Sequence, residues 1–196
     1  MAGTHPYNAF DEDQRIFILD LANIFNNPTQ QLRPFYRYCY ICHNTNQCRQ
    51  YIENTLNITF VVVIIFYNNA QITQDIQQLI HTVIQNNQQV DSCHIFSNVN
   101  HNWWDQLPRS KKFPSANLIT NTTVLKIRQI CSMACDEFID DYTERAADNQ
   151  RNQQYVEAQS LYDKAHERLL AVIEFNQSRL AFIDQAQEII SERLSN

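Results

Sequence analysis

Residues 59–67 constrain the fold more than any other part of the chain. They read Thr-Phe-Val-Val-Val-Ile-Ile-Phe-Tyr, a continuous β-branched and aromatic run without polar alternation. The run is long for a strand, but it is far short of the ~20 apolar residues that a membrane-spanning helix needs. A strand that lacks a polar face must be covered on both sides, as the central strand of a parallel sheet is. The sequence therefore predicts an α/β domain built around this strand.

Strands and helices are predicted to alternate on both sides of the central run. The other predicted strands are 15–21, 35–42, 91–97 and 116–120, and an amphipathic helix is predicted over 73–85. Alternation of this kind is typical of parallel strands joined by right-handed crossovers. The Rossmann-like, flavodoxin-like strand order 2-1-3-4-5 puts the apolar run at the centre of a five-stranded sheet with helices on both faces.

From about residue 149 onward the pattern changes to helix alone. Apolar and small residues recur there at spacings of three and four, mostly along one seam: Tyr155, Ala158, Tyr162, Ala165, Leu169, Val172, Asn176, Ile183 and Ile190. An unbroken helix over 150–194 would span ~65 Å. This extension therefore either folds back as a hairpin, with a reversal near Asn176, or projects and meets a partner. The predicted organisation is a loose N-terminus (1–14), an α/β domain (15–147) and a helical extension (148–196).

The distribution of charge indicates which partners to expect. Residues 1–135 hold nine Lys and Arg against eight Asp and Glu, and residues 136–196 hold six against thirteen, so the net charges of +1 and −7 sum to −6. Nucleic-acid binding needs clustered basic residues. The chain has one short basic cluster, 109–112, which is typical of a solvated loop. An acidic extension favours a protein partner over nucleic acid, and no segment predicts a membrane span.

Glycine and cysteine usage excludes several kinds of site. The only glycine is Gly3, so the glycine-rich loops that cradle phosphates are missing. Residues 1–13 are polar and do not resemble a signal peptide. Six cysteines in a chain without such a signal are typical of the reducing cytosol, so we expect a cytoplasmic protein without disulfides.

A ligand cleft is expected where ligands bind in open α/β sheets, outside the carboxyl ends of the strands. The polar residues at those ends form the candidate cleft: Asp20, Asn68, Asn69, Ser97, Asn98 and Asn121. The set holds one carboxylate and no Lys or Arg. A phosphorelay receiver would need clustered acids for Mg²⁺, an Asp after the third strand and a Lys after the fifth. Asn68 and Asn121 follow those strands instead, so the phosphorelay hypothesis fails.

A second candidate site consists of cysteine and histidine. Cys39, Cys42, His43 and Cys48 have the spacing of a possible zinc site. Cys39 and Cys42, however, lie three apart on a predicted strand and should point to opposite faces. We therefore expect buried thiols, no metal and no cofactor. A nucleophilic pair such as Cys93 with His43 lacks any motif that would orient it.

Two surfaces could bind another protein. Trp103 and Trp104 lie in a polar loop, where they either close the edge of the sheet or form a contact that dominates binding. The second surface is the seam of the extension, represented by its large residues Tyr155, Tyr162, Leu169, Ile183 and Ile190.

Several phrases in residues 15–135 resemble a domain near the N-terminus of multidomain proteins of bdelloid rotifers. They are Ile18-Leu19-Asp20, residues 44–53, residues 60–66 and, most specifically, Gln89-Val90-Asp91-Ser92-Cys93-His94-Ile95-Phe96. In that family the domain precedes tetratricopeptide repeats or an arginine-type ADP-ribosyltransferase domain. The resemblance implies a module that works beside other domains, and it carries over no functional residues. The transferase activity does not carry over, since the chain has no Glu-x-Glu.

Together these features favour a non-catalytic module acting in protein–protein interaction or regulation. The alternative is a small enzyme or nucleotide-binding domain that uses the carboxyl ends of the strands. A deep cleft with convergent polar groups would favour the alternative, and exposed apolar area at the tryptophans or the seam would favour the module. The sequence leaves the partner and the oligomeric state open.

Overall fold

A parallel sheet forms the core of the first of two units in the computed structural model, which describes residues 15–55, 58–107, 112–114 and 116–194. The predicted N-terminal segment 1–14 lies outside the described residues. Within the described part of the chain, five strands form one all-parallel sheet in the order β2-β1-β3-β4-β5. They are β1 (Ile16–Asp20), β2 (Cys39–Cys42), β3 (Phe60–Phe66), β4 (Val90–Ser97) and β5 (Ala116–Leu118). The predicted fold class and strand order are confirmed.

Both faces of β3 are covered, as its composition demands. Every residue from Phe60 to Phe66 is buried. Alternate residues of the strand (Val62 and Ile64 among them) belong to a core cluster that also contains Phe17 of β1. Because successive side chains of a strand point to opposite faces, Val63 lies on the other side of the sheet, where it is equally inaccessible.

Asparagine side chains cap the helices that precede and follow β3. The helices of this unit are α1 (Pro28–Gln31), α2 (Thr45–Asn54) and α3 (Ala70–Leu79). The side chain of Asn44 accepts a hydrogen bond from Gln47 N at the start of α2, and that of Asn69 accepts from Gln71 N and Ile72 N at the start of α3. These bonds satisfy amide groups that have no partner within a helix.

The chain continues past α3 in a π-helical turn, Ile80–Ile84, before the loop that leads to β4. Lys112 closes this region. Its ammonium group donates to the carbonyl oxygens of Gln85 (3.2 Å) and Asn87 (2.6 Å), and its own carbonyl accepts from Cys93 N of β4 (2.6 Å). A cation at the carboxyl end of a helix is favourable, because the carbonyl groups there lack intrahelical partners. Of the basic cluster 109–112, only Lys112 is among the described residues.

The second unit is helical. It comprises α4 (Thr123–Arg151) from Arg128 onward, α5 (Tyr155–Leu194) and the short segment Arg33–Phe35. The two units divide within α4, near Ile127. None of the helices in the described ranges is long and apolar enough to cross a membrane.

Two sequence expectations are wrong in detail. The predicted strand 35–42 starts later, since Tyr36–Tyr38 form a 3₁₀ turn and only Cys39–Cys42 pair with β1. Phe35 instead packs on Phe175, with ring centroids 5.4 Å apart, in the second unit. The expected reversal near Asn176 is also absent, because α5 runs through that position as one helix.

Candidate functional site

The carboxylate at the end of β1 binds the loop that follows it. Asp20 is fully buried. Its Oδ1 accepts from Ile24 N at 3.1 Å and its Oδ2 from Phe25 N at 3.0 Å. The carbonyl oxygen of Asp20 lies 3.0 Å from Nδ1 of His43, which follows β2. Hydrogen bonds from backbone amides stabilise a buried carboxylate and fix the loop around it. Asp20 therefore acts as a structural residue of this loop.

Asparagines after β3 and β4 connect the two neighbouring strand ends. Asn98 Oδ1 accepts from Asn68 N at 2.6 Å, and Asn68 Oδ1 accepts from Thr73 Oγ1 at 3.3 Å. Asn69 is the N-cap of α3. Asn68 and Asn98 therefore lie together, and both side chains make hydrogen bonds within the fold.

An aromatic cluster lies beside these asparagines. The imidazole of His101 stacks on Phe66, the last residue of β3, with centroids 5.4 Å apart, and its Nε2 lies 3.2 Å from Ser97 Oγ. Trp103 and Trp104 both contact the same imidazole, at 5.9 and 5.0 Å between centroids. Burial lowers the pKa of His101. The cluster covers the end of β3 with rings, so this part of the candidate cleft is apolar.

The two tryptophans lie on a 3₁₀ turn, Asn102–Gln106, rather than in an open loop. Their rings are nearly perpendicular (84°) and are partly buried against the core cluster of the first unit. This arrangement is the one expected if the pair closes the sheet edge. At the other end of the candidate cleft, Asn121 follows β5 and is exposed, and its neighbours Thr120 and Thr122 share a hydroxyl hydrogen bond of 2.9 Å.

The cysteines belong to the interior. All six are buried as free thiols in the described chain. Cys42, Cys48 and Cys93 lie in the same core cluster, and Cys42 together with burial raises the pKa of the Cys48 thiol well above its usual value. Burial also raises the pKa of Cys93. Protonated thiols are poor nucleophiles and poor metal ligands. Among the described residues, no group of three His, Cys, Asp or Glu side chains is placed to hold a metal ion.

In the second unit, α4 and α5 form an antiparallel hairpin. Arg128, early in α4, lies over the ring of Phe175 at 4.9 Å, whereas Tyr142, later in α4, lies under Arg168 at 4.7 Å. A residue later in α4 thus contacts a residue earlier in α5, so the two helices run antiparallel. The chain reverses at residues 152–154, where Gln153 adopts a left-handed backbone (φ 63°).

One face of α5 packs in this hairpin, and we call it the inner seam. Its residues alternate at spacings of three and four and are all buried: Ala158, Leu161, Ala165, Arg168, Val172 and Phe175. The segment Arg33–Phe35 adds to the same end of the hairpin. Phe35 packs on Phe175, and the side chain of Arg33 pairs with Glu174 at 2.9 Å. Small residues on the inner seam favour close approach of the two helices, as in other paired helices.

A second face of α5, which we call the outer seam, has an equally regular pattern and remains uncovered. It contains Tyr155, Gln159, Tyr162, His166, Leu169, Ile173, Asn176, Leu180, Ile183, Gln187 and Ile190, which alternate at spacings of four and three. The seven large apolar members are all exposed; the values for Tyr155, Leu180 and Ile190 are 64%, 58% and 57%. Five of the seven are the seam residues predicted from the sequence.

Ile173 and Leu180 complete the outer seam and were missed from the sequence. The signal that identifies them is the alternating spacing itself, since they lie four residues after Leu169 and Asn176. The prediction had merged Ala158, Ala165 and Val172 with the large residues into one seam. The structure separates them, because α4 packs on the small residues and leaves the large ones outside.

Acidic residues border the outer seam on the side away from the inner seam. In a heptad repeat, two positions per heptad lie on that side, and between 155 and 190 they hold Asp163, Glu167, Glu174, Asp184 and Glu188 but no Lys or Arg. We call these five residues the acidic rim. Glu174 is paired with Arg33. Arg179 lies on the opposite border, with its guanidinium 5.6 Å from the ring of Phe175.

Comparison with family models, with curated proteins and with solved structures finds no match to this chain. The resemblance to bdelloid rotifer proteins therefore rests on the phrases in residues 15–135 alone.

Proposed function

We propose that the protein is a non-catalytic interaction module, in which the α/β unit carries a helical hairpin that binds another protein through the outer seam. One observation carries the proposal: α5 exposes a regular apolar stripe on a face that its own neighbour α4 does not cover. Soluble monomers rarely expose a contiguous apolar patch of more than a few hundred Å². A heptad pattern is also the pattern with which helices recognise other helices.

The carboxyl edge of the sheet supports the same conclusion from the opposite direction. Three residues of the expected polar ligand site make hydrogen bonds within the protein instead. Asp20 binds backbone amides of the loop after β1, Asn98 binds the amide of Asn68, and Asn69 caps α3. His101 is stacked on Phe66. Asp20, Asn98 and Asn69 thus have partners within the fold, whereas the large apolar residues of the outer seam are exposed.

A copurification experiment tests the proposal. Ile173→Gln and Leu180→Gln together remove two apolar side chains from the outer seam without touching the inner seam. We expect the full-length wild-type chain to retain a partner from its native source and the double variant to lose it. Ser178→Gln places the same side chain on an exposed position of α5 that lies outside the outer seam and its acidic border, and it serves as the matched control. An identical set of copurifying proteins for all three chains would contradict the proposal.

A further inference from the structure

We propose that the partner of the outer seam is a basic amphipathic helix, with an apolar face bordered by Lys or Arg, which lies along α5 as the third helix of a bundle. This inference rests on the proposed function and specifies the chemistry of its partner. Three properties of α5 lead to it: the shape of the seam, its area and the charge beside it.

The shape of the seam fits a helix. Its large residues keep one heptad register from Tyr155 to Ile190, a length of ~53 Å at 1.5 Å per residue. The same helix already uses a second register, the inner seam, to pack on α4. A helix with two such faces can contact two neighbours at once, as helices in bundles do. The outer seam is therefore the continuation of a packing mode that this unit already uses.

The area of the seam is sufficient for specific binding. A stripe ~53 Å long on a helix about 10 Å across offers roughly 500 Å², so a partner helix of equal length would bury roughly 1,000 Å² in total. This is about the size at which specific interfaces begin. The polar members of the seam would fix the register of such a partner, because a mispaired register would bury them without hydrogen bonds. These members are Gln159, His166, Asn176 and Gln187.

The charge beside the seam selects the partner. The acidic rim holds five carboxylates, among which Glu174 pairs with Arg33 and Asp163 accepts a hydrogen bond from the side chain of Gln159. A helix with Lys or Arg along its border would place positive charge against the rim and gain in association rate and specificity. A second copy of the chain would instead bring two acidic helical extensions together, since residues 136–196 carry a net charge of −7 (six Lys and Arg against thirteen Asp and Glu). Like charges across an interface oppose association.

Two synthetic 35-residue helices test this proposal against the full-length chain. Both have Leu at heptad positions a and d, and they differ only at e and g, which are Lys in one peptide and Glu in the other. Fluorescence anisotropy of the labelled peptides gives the two dissociation constants at low and at high salt. We expect the Lys peptide to bind at least about tenfold more tightly than the Glu peptide, with the difference shrinking at high salt.

Two sets of variants separate the seam from the rim. Ile173→Gln with Leu180→Gln should weaken the Lys peptide at least about tenfold, because two buried apolar contacts are lost. Ser178→Gln should change the affinity less than about twofold, since surface substitutions outside an interface have small effects. Asp163→Asn, Asp184→Asn and Glu188→Gln together should reduce the preference for Lys over Glu. Circular dichroism of each variant confirms that the helices remain.

Three results would overturn the inference. Equal affinity for both peptides would show that the acidic rim does not select the partner. If neither peptide binds, a basic helix is not the partner. In sedimentation, a dimer that dissociates in the double variant would assign the seam to a second copy of the chain. Each leaves the proposed function standing if the copurifying protein still depends on Ile173 and Leu180, so the two claims fail separately.

Discussion

β3 and α5 are both rich in large apolar residues, yet the structure covers them very differently. Every residue of β3 is buried, and residues of α2 and α3 pack in one core cluster with the face that carries Val62 and Ile64. In α5 the inner seam is buried and the outer seam is exposed along the whole helix. The pattern of apolar residues thus shows how many faces of a helix or strand must be shielded from solvent. Whether the chain itself supplies that cover depends on how many neighbours the element has.

The largest expected effect comes from placing a charge on each of these elements in turn. Val63→Asp puts an unpaired carboxylate inside the sheet, which costs several kcal/mol and should abolish folding. The same change in the outer seam, Ile183→Asp, should lower the free energy of unfolding by no more than about 1 kcal/mol, because this side chain is already half in water. Thermal melting followed by circular dichroism compares them. A Val63→Asp protein that melts cooperatively near the wild-type temperature would contradict the burial of both faces of β3.

A second pair lies within α5 and has the same residue type at the same heptad position. Phe175 is 1% exposed and packs under Arg128 and Phe35, whereas Phe182, seven residues later, is 72% exposed. Phe175→Ala should destabilise the protein by about 3–5 kcal/mol, the usual cost of emptying a buried aromatic site. Phe182→Ala should cost less than about 1 kcal/mol.

Urea unfolding of the two phenylalanine variants measures the difference. Similar losses for both would mean that the register of the inner seam stays covered beyond Phe175. The boundary between the covered and uncovered parts of α5 would then need to move toward the end of the helix.

Acid should weaken the sheet through a residue next to β3. Burial lowers the pKa of His94 on β4 to about 4, and nearby Asp91 partly opposes this shift. The unfolded chain, with an ordinary histidine pKa near 6.5, binds a proton at a pH where the folded chain does not. Stability from this residue is therefore complete above pH 6.5 and is lost as the pH falls toward 4, by roughly 3 kcal/mol at one pKa unit per 1.4 kcal/mol.

His94→Gln removes the titrating group and keeps a polar side chain of similar size. We expect the variant to lose most of the dependence of unfolding free energy on pH between 6.5 and 4. A variant with the same pH dependence as the wild type would show that other groups, His101 among them, carry the effect.

A smaller loss than that expected for His94 concerns the cation at the end of the π-helical turn. Lys112→Met removes the ammonium group that donates to Gln85 and Asn87, and it should cost about 1–2 kcal/mol. Lys112→Arg should recover part of the loss, since the charge returns with a different geometry. Chemical denaturation measures both variants. Equal losses of stability for Lys112→Met and Lys112→Arg would mean that a positive charge alone does not replace the two hydrogen bonds of Lys112.

Much of the fold could be predicted, because β3 allows few environments. A run without polar residues must be central in a parallel sheet, and the strand order follows from the alternation of elements around it. The cap at Asn44 could likewise be derived from local chemistry, whereas Asn69, expected in a ligand cleft, caps a helix that begins three residues before the predicted start. What could not be predicted was the start of β2, where the ring of Phe35 finds its partner in a residue far along the chain.

The organisation of α5 shows a second limit. The sequence shows the heptad spacing of α5 but not which face meets α4. The inner seam contains Ala158, Ala165 and Arg168, so it is less apolar in sequence than the outer seam. Close packing of two helices favours small side chains, so hydrophobicity alone identifies the wrong face. At the carboxyl ends of the strands, the sequence showed which residues are polar. It could not show that Asp20 binds the backbone of its own loop, or that Asn98 binds the amide of Asn68 in the loop after β3.

The reaction rate of single introduced thiols tests most directly whether the outer seam is open in the free protein and covered by a partner. Leu180→Cys lies on the outer seam and Val172→Cys on the inner seam, and the six native cysteines are buried. We expect thiol labelling to be rapid in the Leu180→Cys variant and slow in the Val172→Cys variant. Addition of the Lys peptide should slow only the reaction at 180. A monomeric protein in which both positions are equally protected would contradict the account.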